Sequence, residues 1–193
     1  MDLLLALYGN QVDFDLGDEL IMESLGRVED GKLVVGACAY DAVVLPPAME
    51  NWTAATLQLM KDYLDAGGRL YALRPPPVFV NGRESGEPAT LADRYAARWH
   101  TFADTAALLA ALRQAVPPPI TAPDGGPLPA SLCWRRVDLG DGAWLTFFCN
   151  PWGARIQADV RLEGRALKIL DTASGNIRPL STQTDGEPII AHL

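Results

Sequence analysis

"YDAVVLPPAMENW", residues 40–52, sets a run of β-branched and apolar residues against two prolines, an acid, an amide and a tryptophan. A short continuous apolar run of this kind is typical of a parallel strand covered on both faces. The prolines close it, and Thr53 is placed to cap a helix whose apolar positions Leu57, Met60 and Leu64 share one face. Gly67 and Gly68 end that helix, and "RLYAL", residues 69–73, follows at once as the next strand. Strand, helix and strand in this order make a parallel crossover, the building unit of an α/β sheet. Ligands in open α/β sheets sit just beyond the carboxyl ends of strands. Glu50, Asn51 and Trp52 are therefore candidate ligand-binding residues.

The alternation extends in both directions. Residues 1–11 read as a helix, "VDFD" (12–15) as a short strand, and "DELIMESLG" (18–26) as a helix ended by Gly26. Further on, Asp104 can cap "TAALLAALRQAV" (105–116), where Leu108, Leu109, Leu112 and Val116 form one apolar stripe. Composition then changes at "VPPPITAPDGGPLPAS" (116–131), whose six prolines and two glycines cannot support a helix or a central strand. We expect an α/β domain over 1–116, a linker over 117–131 and a second domain over 132–193. In the last of these the period becomes two. "RIQADVRL" (155–162) alternates Ile156, Ala158, Val160 and Leu162 with charged or polar residues, as a half-buried antiparallel strand does. Turn signals separate it from "SLCWRRVD", "AWLTFFC", "ALKIL" and "IRPL", which together suggest a small antiparallel sandwich.

The totals restrict function more than they define it. A chain of 193 residues is long enough for one good core or two small ones. The formal charge of −8 is concentrated in residues 1–116, with 16 acidic against 9 basic side chains. An acidic chain without a basic run argues against nucleic acid as a partner. The opening "MDLLLALYG" lacks a basic n-region and is too short in its apolar run for a secretory leader, and nothing approaches a membrane span. Compartment stays open. Cys38, Cys133 and Cys149 show no C-x-x-C spacing and read as small core residues in apolar surroundings. With His100 and His192 far apart, neither a metal site nor a cofactor is expected.

No catalytic constellation stands out. "GACAY" (36–40) superficially matches a nucleophile elbow, but Cys38 precedes the apolar strand and Tyr40 replaces the second glycine. The pairs Asp13 with Asp15, Asp18 with Glu19, and Asp62 with Asp65 offer carboxylates, but spacing alone cannot set two of them across a glycosidic bond. Among the tryptophans, Trp134 and Trp144 lie within apolar strands and read as core. Trp52 and Trp152 follow turn residues and are candidate sugar-stacking platforms, with packing as the competing role.

Taken in order, "FDLGDE", "DGKLVVG", "YDAVVLPPAMENWTAATL" and "AGGRLYALRPPP" resemble the class I glutamine-amidotransferase-like domain of large bacterial glycoside hydrolases. The likeness is to the α-L-rhamnosidase-like proteins and, more distantly, to β-galactosidases with a trimerisation domain of this fold. "GDGAWLTFFCNPW", "DVRLEG" and "LDTASGNIRPL" resemble the β-sandwich segment that follows, with Asn150, Asp171 and Gly175 at matching positions. The resemblance implies a flavodoxin-like parallel sheet followed by a small β-sandwich. It also implies an accessory role beside a catalytic barrel, with carbohydrate or a further copy of the chain as other partners. The amidotransferase cysteine is absent, since the comparable strand end reads "ALRPPP" (72–77). We therefore expect no catalytic residue here, and "LPPAMENW" becomes a switch-point loop in the scaffold. Against the family pattern the α/β domain lacks its first strand, and the sandwich ends at "IIAHL" where another strand is expected, as in a fragment. A strand edge left open in this way would pair with another chain or be filled by "LLLALY" (3–8). A stand-alone carbohydrate-binding module using exposed aromatics is the alternative, and a small amidotransferase-like hydrolase the third.

Overall fold

Leu3 and Leu7 are one helical turn apart, and α1 (Asp2–Gly9) buries both while leaving Leu5 in solvent. The computed structural model describes residues 2–151, 155–162, 167–180 and 189–192. Two units emerge: Phe14–Pro117, and Met1–Asp13 together with Pro118–Leu193. Helix α1 thus belongs with the C-terminal part and supplies no strand to the α/β part. "VDFD" corrects a further expectation. Its burial alternates, but residues 12–15 join no sheet among the described residues. Side chains tie this stretch instead: Asp13 pairs with Arg135 at 3.5 Å, and Asp15 accepts the Tyr40 hydroxyl at 2.8 Å.

In the unit Phe14–Pro117, α2 (Glu19–Leu25) starts on Asp18, whose Oδ1 accepts from Leu20 and Ile21 N–H at 2.9 and 3.1 Å. Gly26 stops it through closeness rather than a left-handed turn. A Cβ there would lie 2.3 Å from the Met22 carbonyl oxygen and 2.8 Å from Leu59 Cδ2. An antiparallel meander follows, β1 (Gly26–Glu29), β2 (Lys32–Val35) and β3 (Cys38–Tyr40). Then come β4 (Val43–Leu45), β5 (Asn51–Trp52), α3 (Ala54–Asp65) and β6 (Leu70–Ala72). A small hairpin of β7 (Phe79–Val80) and β8 (Arg83–Glu84), α4 (Glu87–Arg94), β9 (Trp99–Thr101) and α5 (Thr105–Ala115) complete the unit.

Strands β4, β6 and β9 pair in parallel in that order, with Leu45 opposite Ala72 and Leu70 opposite Trp99. One face of this sheet carries Leu45, Leu70, Ala72 and Trp99 into a buried cluster with Met60, Tyr63 and Leu64 of α3. Helix α3 begins on the Thr53 hydroxyl and ends in paired bonds, Gly68 N–H to Tyr63 carbonyl at 2.8 Å and Gly67 N–H to Leu64 carbonyl at 3.2 Å.

The other unit adds β10 (Ile120–Thr121), β11 (Cys133–Gly140), β12 (Ala143–Cys149), β13 (Asp159–Leu162), β14 (Leu167–Leu170), β15 (Ile177–Leu180) and β16 (Ile189–His192). Antiparallel pairing gives a β10–β13–β16 sheet and the hairpins β11–β12 and β14–β15. Among the described residues the chain is thus mixed α/β, with a three-stranded parallel sheet and several small antiparallel sheets. The segment 117–131, read as a linker, is built into this unit: β10 is an edge strand, and Ile120 and Leu128 are buried with Leu132, Val160 and Ala191. Prolines prevent a central strand there but leave room for apolar anchors. Residues Ile189–His192 form strand β16, paired with β13. The cysteines depart from the core reading, Cys38 being exposed and Cys133 and Cys149 only half-buried. Trp144 departs as well, at 49% exposure.

Two measurements test these local causes. Gly67 has φ +102, and a Cβ on Gly68 would meet the Tyr63 ring at 2.3 Å. Gly67→Ala should cost about 1 kcal/mol and Gly68→Ala about 1–3 kcal/mol, read as urea midpoints at unchanged m. Between β14 and β15, Asp171 Oδ1 accepts from Ala173 N–H at 2.9 Å and Ser174 N–H at 3.3 Å, while Gly175 takes φ +73. The Ala173 amide, then Ser174, hold the Asp171 carboxyl below its ordinary range. A lowered folded pKa means a turn that is fully capped above the ordinary carboxylate range and loses its cap as pH falls through the lowered value. Carboxyl NMR titration should place Asp171 below the ordinary aspartate range, with the Ala173 and Ser174 amides following the same curve.

Candidate functional site

The carboxyl end of β4 is where the sequence places a ligand, and the structure shows what the segment does there. After Leu45 the two prolines turn the chain, with Met49 N–H bonding the Pro46 carbonyl at 3.1 Å. Glu50 is exposed, and its carbonyl accepts both Val78 and Phe79 N–H at 3.0 Å. Asn51 and Trp52 form β5, parallel to β7. Asn51 Oδ1 accepts from Gly82 N–H at 2.8 Å, so its side chain holds the turn between β7 and β8. Asn81 in that turn returns the support, its Oδ1 accepting Ala54 N–H at 3.0 Å and its own N–H reaching the Trp52 carbonyl at 2.8 Å. Thr53 N–H donates to Glu19 Oε1 at 2.8 Å.

Trp52 decides the character of the segment. The indole is 1% exposed and lies against Trp99 with ring centroids 5.9 Å apart at 50°. A ring so enclosed offers no face to a sugar, which corrects its reading as a stacking platform. Trp152 lies outside the described residues. The structure therefore brings Glu50, Asn51 and Trp52 together by sequence but gives them separate duties: an exposed carboxylate, a turn brace and a core anchor.

The switch-point reading is corrected too. Strand β4 is an edge of the parallel sheet, and both crossovers, β4 to β6 and β6 to β9, step in the same direction. A ligand crevice opens where strand order reverses, and no reversal occurs among the described residues. The carboxyl end of β6 runs directly into Leu73, Arg74 and the prolines 75–77.

The carboxylate pairs are likewise committed to structure. Asp13 faces Arg135, Asp15 holds Tyr40, Asp18 caps α2 and Glu19 receives Thr53 N–H. Asp62 accepts Gln58 Nε2 at 2.7 Å, and Asp65 accepts the Tyr95 hydroxyl. Burial first, and then the bond to Asp15, raise the Tyr40 phenol far above its ordinary range, which keeps it a donor. Burial also raises the Tyr63 phenol, whose hydroxyl bonds the Asp41 and Arg69 carbonyls at 3.1 and 3.3 Å. Among the described residues no group of His, Cys, Asp and Glu side chains is arranged to hold a metal ion.

One grouping escapes the sequence reading. On the sheet face opposite Leu70 and Ala72, Tyr71 meets His100 at 5.5 Å and stacks on Phe102 at 6.0 Å with planes 8° apart. The register of β6 against β9 brings Tyr71 beside His100 and Phe102, which lie 29 and 31 positions further along the chain. No protein-family model, curated protein or solved structure matches this chain.

Alanine substitutions along the segment should separate its duties. Trp52→Ala should lose about 3–5 kcal/mol of stability, Asn51→Ala about 0.5–1.5 kcal/mol, and Glu50→Ala no more than about 0.5 kcal/mol. Chemical denaturation of the three variants gives the ranking directly. A Trp52→Ala loss as small as that of Glu50→Ala would return Trp52 to the surface.

Proposed function

We propose that this chain is a noncatalytic accessory portion of a bacterial glycoside hydrolase, a flavodoxin-like α/β domain joined to a small β-sandwich. Its partners would be the sugar-cleaving barrel of the parent enzyme and, through the edge strand β4, a second copy of the chain. The observation that carries this reading is the exit of the central strand β6 into Leu73-Arg74-Pro75-Pro76-Pro77. In the domain that the sequence resembles, a nucleophile would stand at that exit, where this chain instead sets a rigid proline run whose last member, Pro77, is buried. The structural employment of Glu19, Asp13, Asp15, Asp18, Asp62 and Asp65 supports the same reading.

Two tests bear on it. The transcript that carries this chain should encode a barrel in frame upstream of Met1, and a stop codon directly upstream would overturn the accessory role. Purified protein should not cleave aryl glycosides of rhamnose or galactose. Turnover that disappears on changing one carboxylate of this chain would refute the noncatalytic assignment.

One observation favours a second reading, a carbohydrate-binding module in its own right. Trp144 is half exposed on β12, and the Arg136 guanidinium lies 4.2 Å from its ring centre, fixing an aromatic face at the surface. A glycan array distinguishes the two: sugar binding that is lost in Trp144→Ala selects the module, and a blank array selects the scaffold.

A further inference from the structure

Cysteines 133 and 149 are 16 positions apart in sequence, yet the β11–β12 register places them directly opposite each other. The next pair along, Trp134 and Phe148, points to the other face and packs against the buried cluster of Ile120, Val160 and Ala191, which fixes the register at this end. Opposed residues of an antiparallel pair have Cα atoms about 4.5–5.5 Å apart, inside the window of about 4.4–6.8 Å that a disulfide spans. Both side chains lie on the same face, because directly paired residues share one. Partial burial, and then the neighbouring Cys133 thiol, push Cys149 above the ordinary thiol range. The Tyr8 hydroxyl of α1 shares a hydrogen bond with Cys133 Sγ. Both cysteines are half-buried, so a small reagent reaches them, whereas Cys38 on β3 faces Val35 across its own pair and has no opposed thiol.

We infer that Cys133 and Cys149 are a redox-sensitive dithiol, which a small-molecule disulfide converts into an intramolecular cross-strand disulfide. The thiolate of one cysteine attacks the small disulfide, forming a mixed disulfide and releasing one small thiol. The thiolate of the second attacks the protein sulfur of that intermediate, closes the Cys133–Cys149 bond and releases the second small thiol. Two protein thiols are oxidised, one disulfide is reduced to two thiols, and both protons end on the released thiols. Closure staples the open end of the hairpin beside Tyr8. The cross-link lengthens the unfolding-resistant part of β11–β12 and withdraws one S–H from the Tyr8 contact, so the last turn of α1 senses the redox state.

The full chain treated with glutathione disulfide, then alkylated and analysed by intact mass and peptide mapping, tests this. The expected product is lighter by two hydrogens, carries a Cys133–Cys149 linked peptide and accepts alkylation at Cys38 alone. Its melting temperature should rise by several degrees and fall back with dithiothreitol. Cys149→Ser should instead keep a glutathione adduct on Cys133, because no neighbour displaces it. Three alkylated cysteines after oxidation, separate glutathione adducts on Cys133 and Cys149 in the unsubstituted chain, or a link to Cys38 would each overturn the inference. The mass measurement on the unsubstituted chain stands even if a variant fails to fold.

Discussion

Trp52 is the residue on which the Phe14–Pro117 unit turns. Its indole belongs to one apolar cluster that draws Leu33 from β2, Leu45 from β4, Met60, Tyr63 and Leu64 from α3, Leu70 and Ala72 from β6, Leu91 from α4 and Trp99 from β9. Burying a side chain of that size is worth about 4–6 kcal/mol at the usual area coefficient. Beside it the Glu50 and Trp52 carbonyls are satisfied by the β7 end and the Asn81 turn, and the Thr53 N–H by Glu19, whereas Trp99 Nε1 is buried without a hydrogen-bond partner among the described residues. The proline turn after β4 therefore has a clear physical task. It returns the chain so that Trp52 enters the core seven residues after Leu45, and α3 can start at once on Thr53.

Much of this unit could be read from residue order. The β4–α3–β6 crossover follows from an apolar run, a threonine cap, a 3.6-residue stripe and two glycines, and these local preferences agree with one another. The β1–β2 and β7–β8 hairpins escape the reading that finds the β11–β12 turn, although all three carry the same plain signal. Asp30-Gly31, Asn81-Gly82 and Asp141-Gly142 all take positive φ at both positions, 51 and 76, 50 and 72, 53 and 74 degrees. Each joins two antiparallel strands through a two-residue turn, the conformation whose twist matches the strands it links. Exposure of Trp52 could not be read at all, because whether an indole after a turn faces inward depends on Trp99, 47 positions away.

The C-terminal part shows a different limit. Residues 155–162 keep the alternating burial that their period predicts, yet only Asp159–Leu162 pair with neighbours. Period two reports an extended backbone, and pairing needs a partner that the segment itself does not specify. The proline-rich stretch failed for the opposite reason. Its composition excludes regular structure over most of its length, but Ile120, Leu128 and Leu132 are spaced to reach the core between prolines. Apolar anchors in an irregular segment leave no periodic trace.

The Asn81-Gly82 turn has a consequence for how the protein ages. Asparagine followed by glycine is the sequence most open to deamidation, because the glycine nitrogen can attack the neighbouring side-chain amide and close a succinimide ring. Here the two reacting groups are occupied elsewhere: Gly82 N–H is held by Asn51 Oδ1 at 2.8 Å, and Asn81 Oδ1 by Ala54 N–H at 3.0 Å. Ring closure would have to break both bonds and rotate the peptide out of its left-handed geometry. The chemical lifetime of this asparagine is thus set by the fold around it, and isoaspartate at position 81 would mark molecules that have spent time with the β5–β7 contact open.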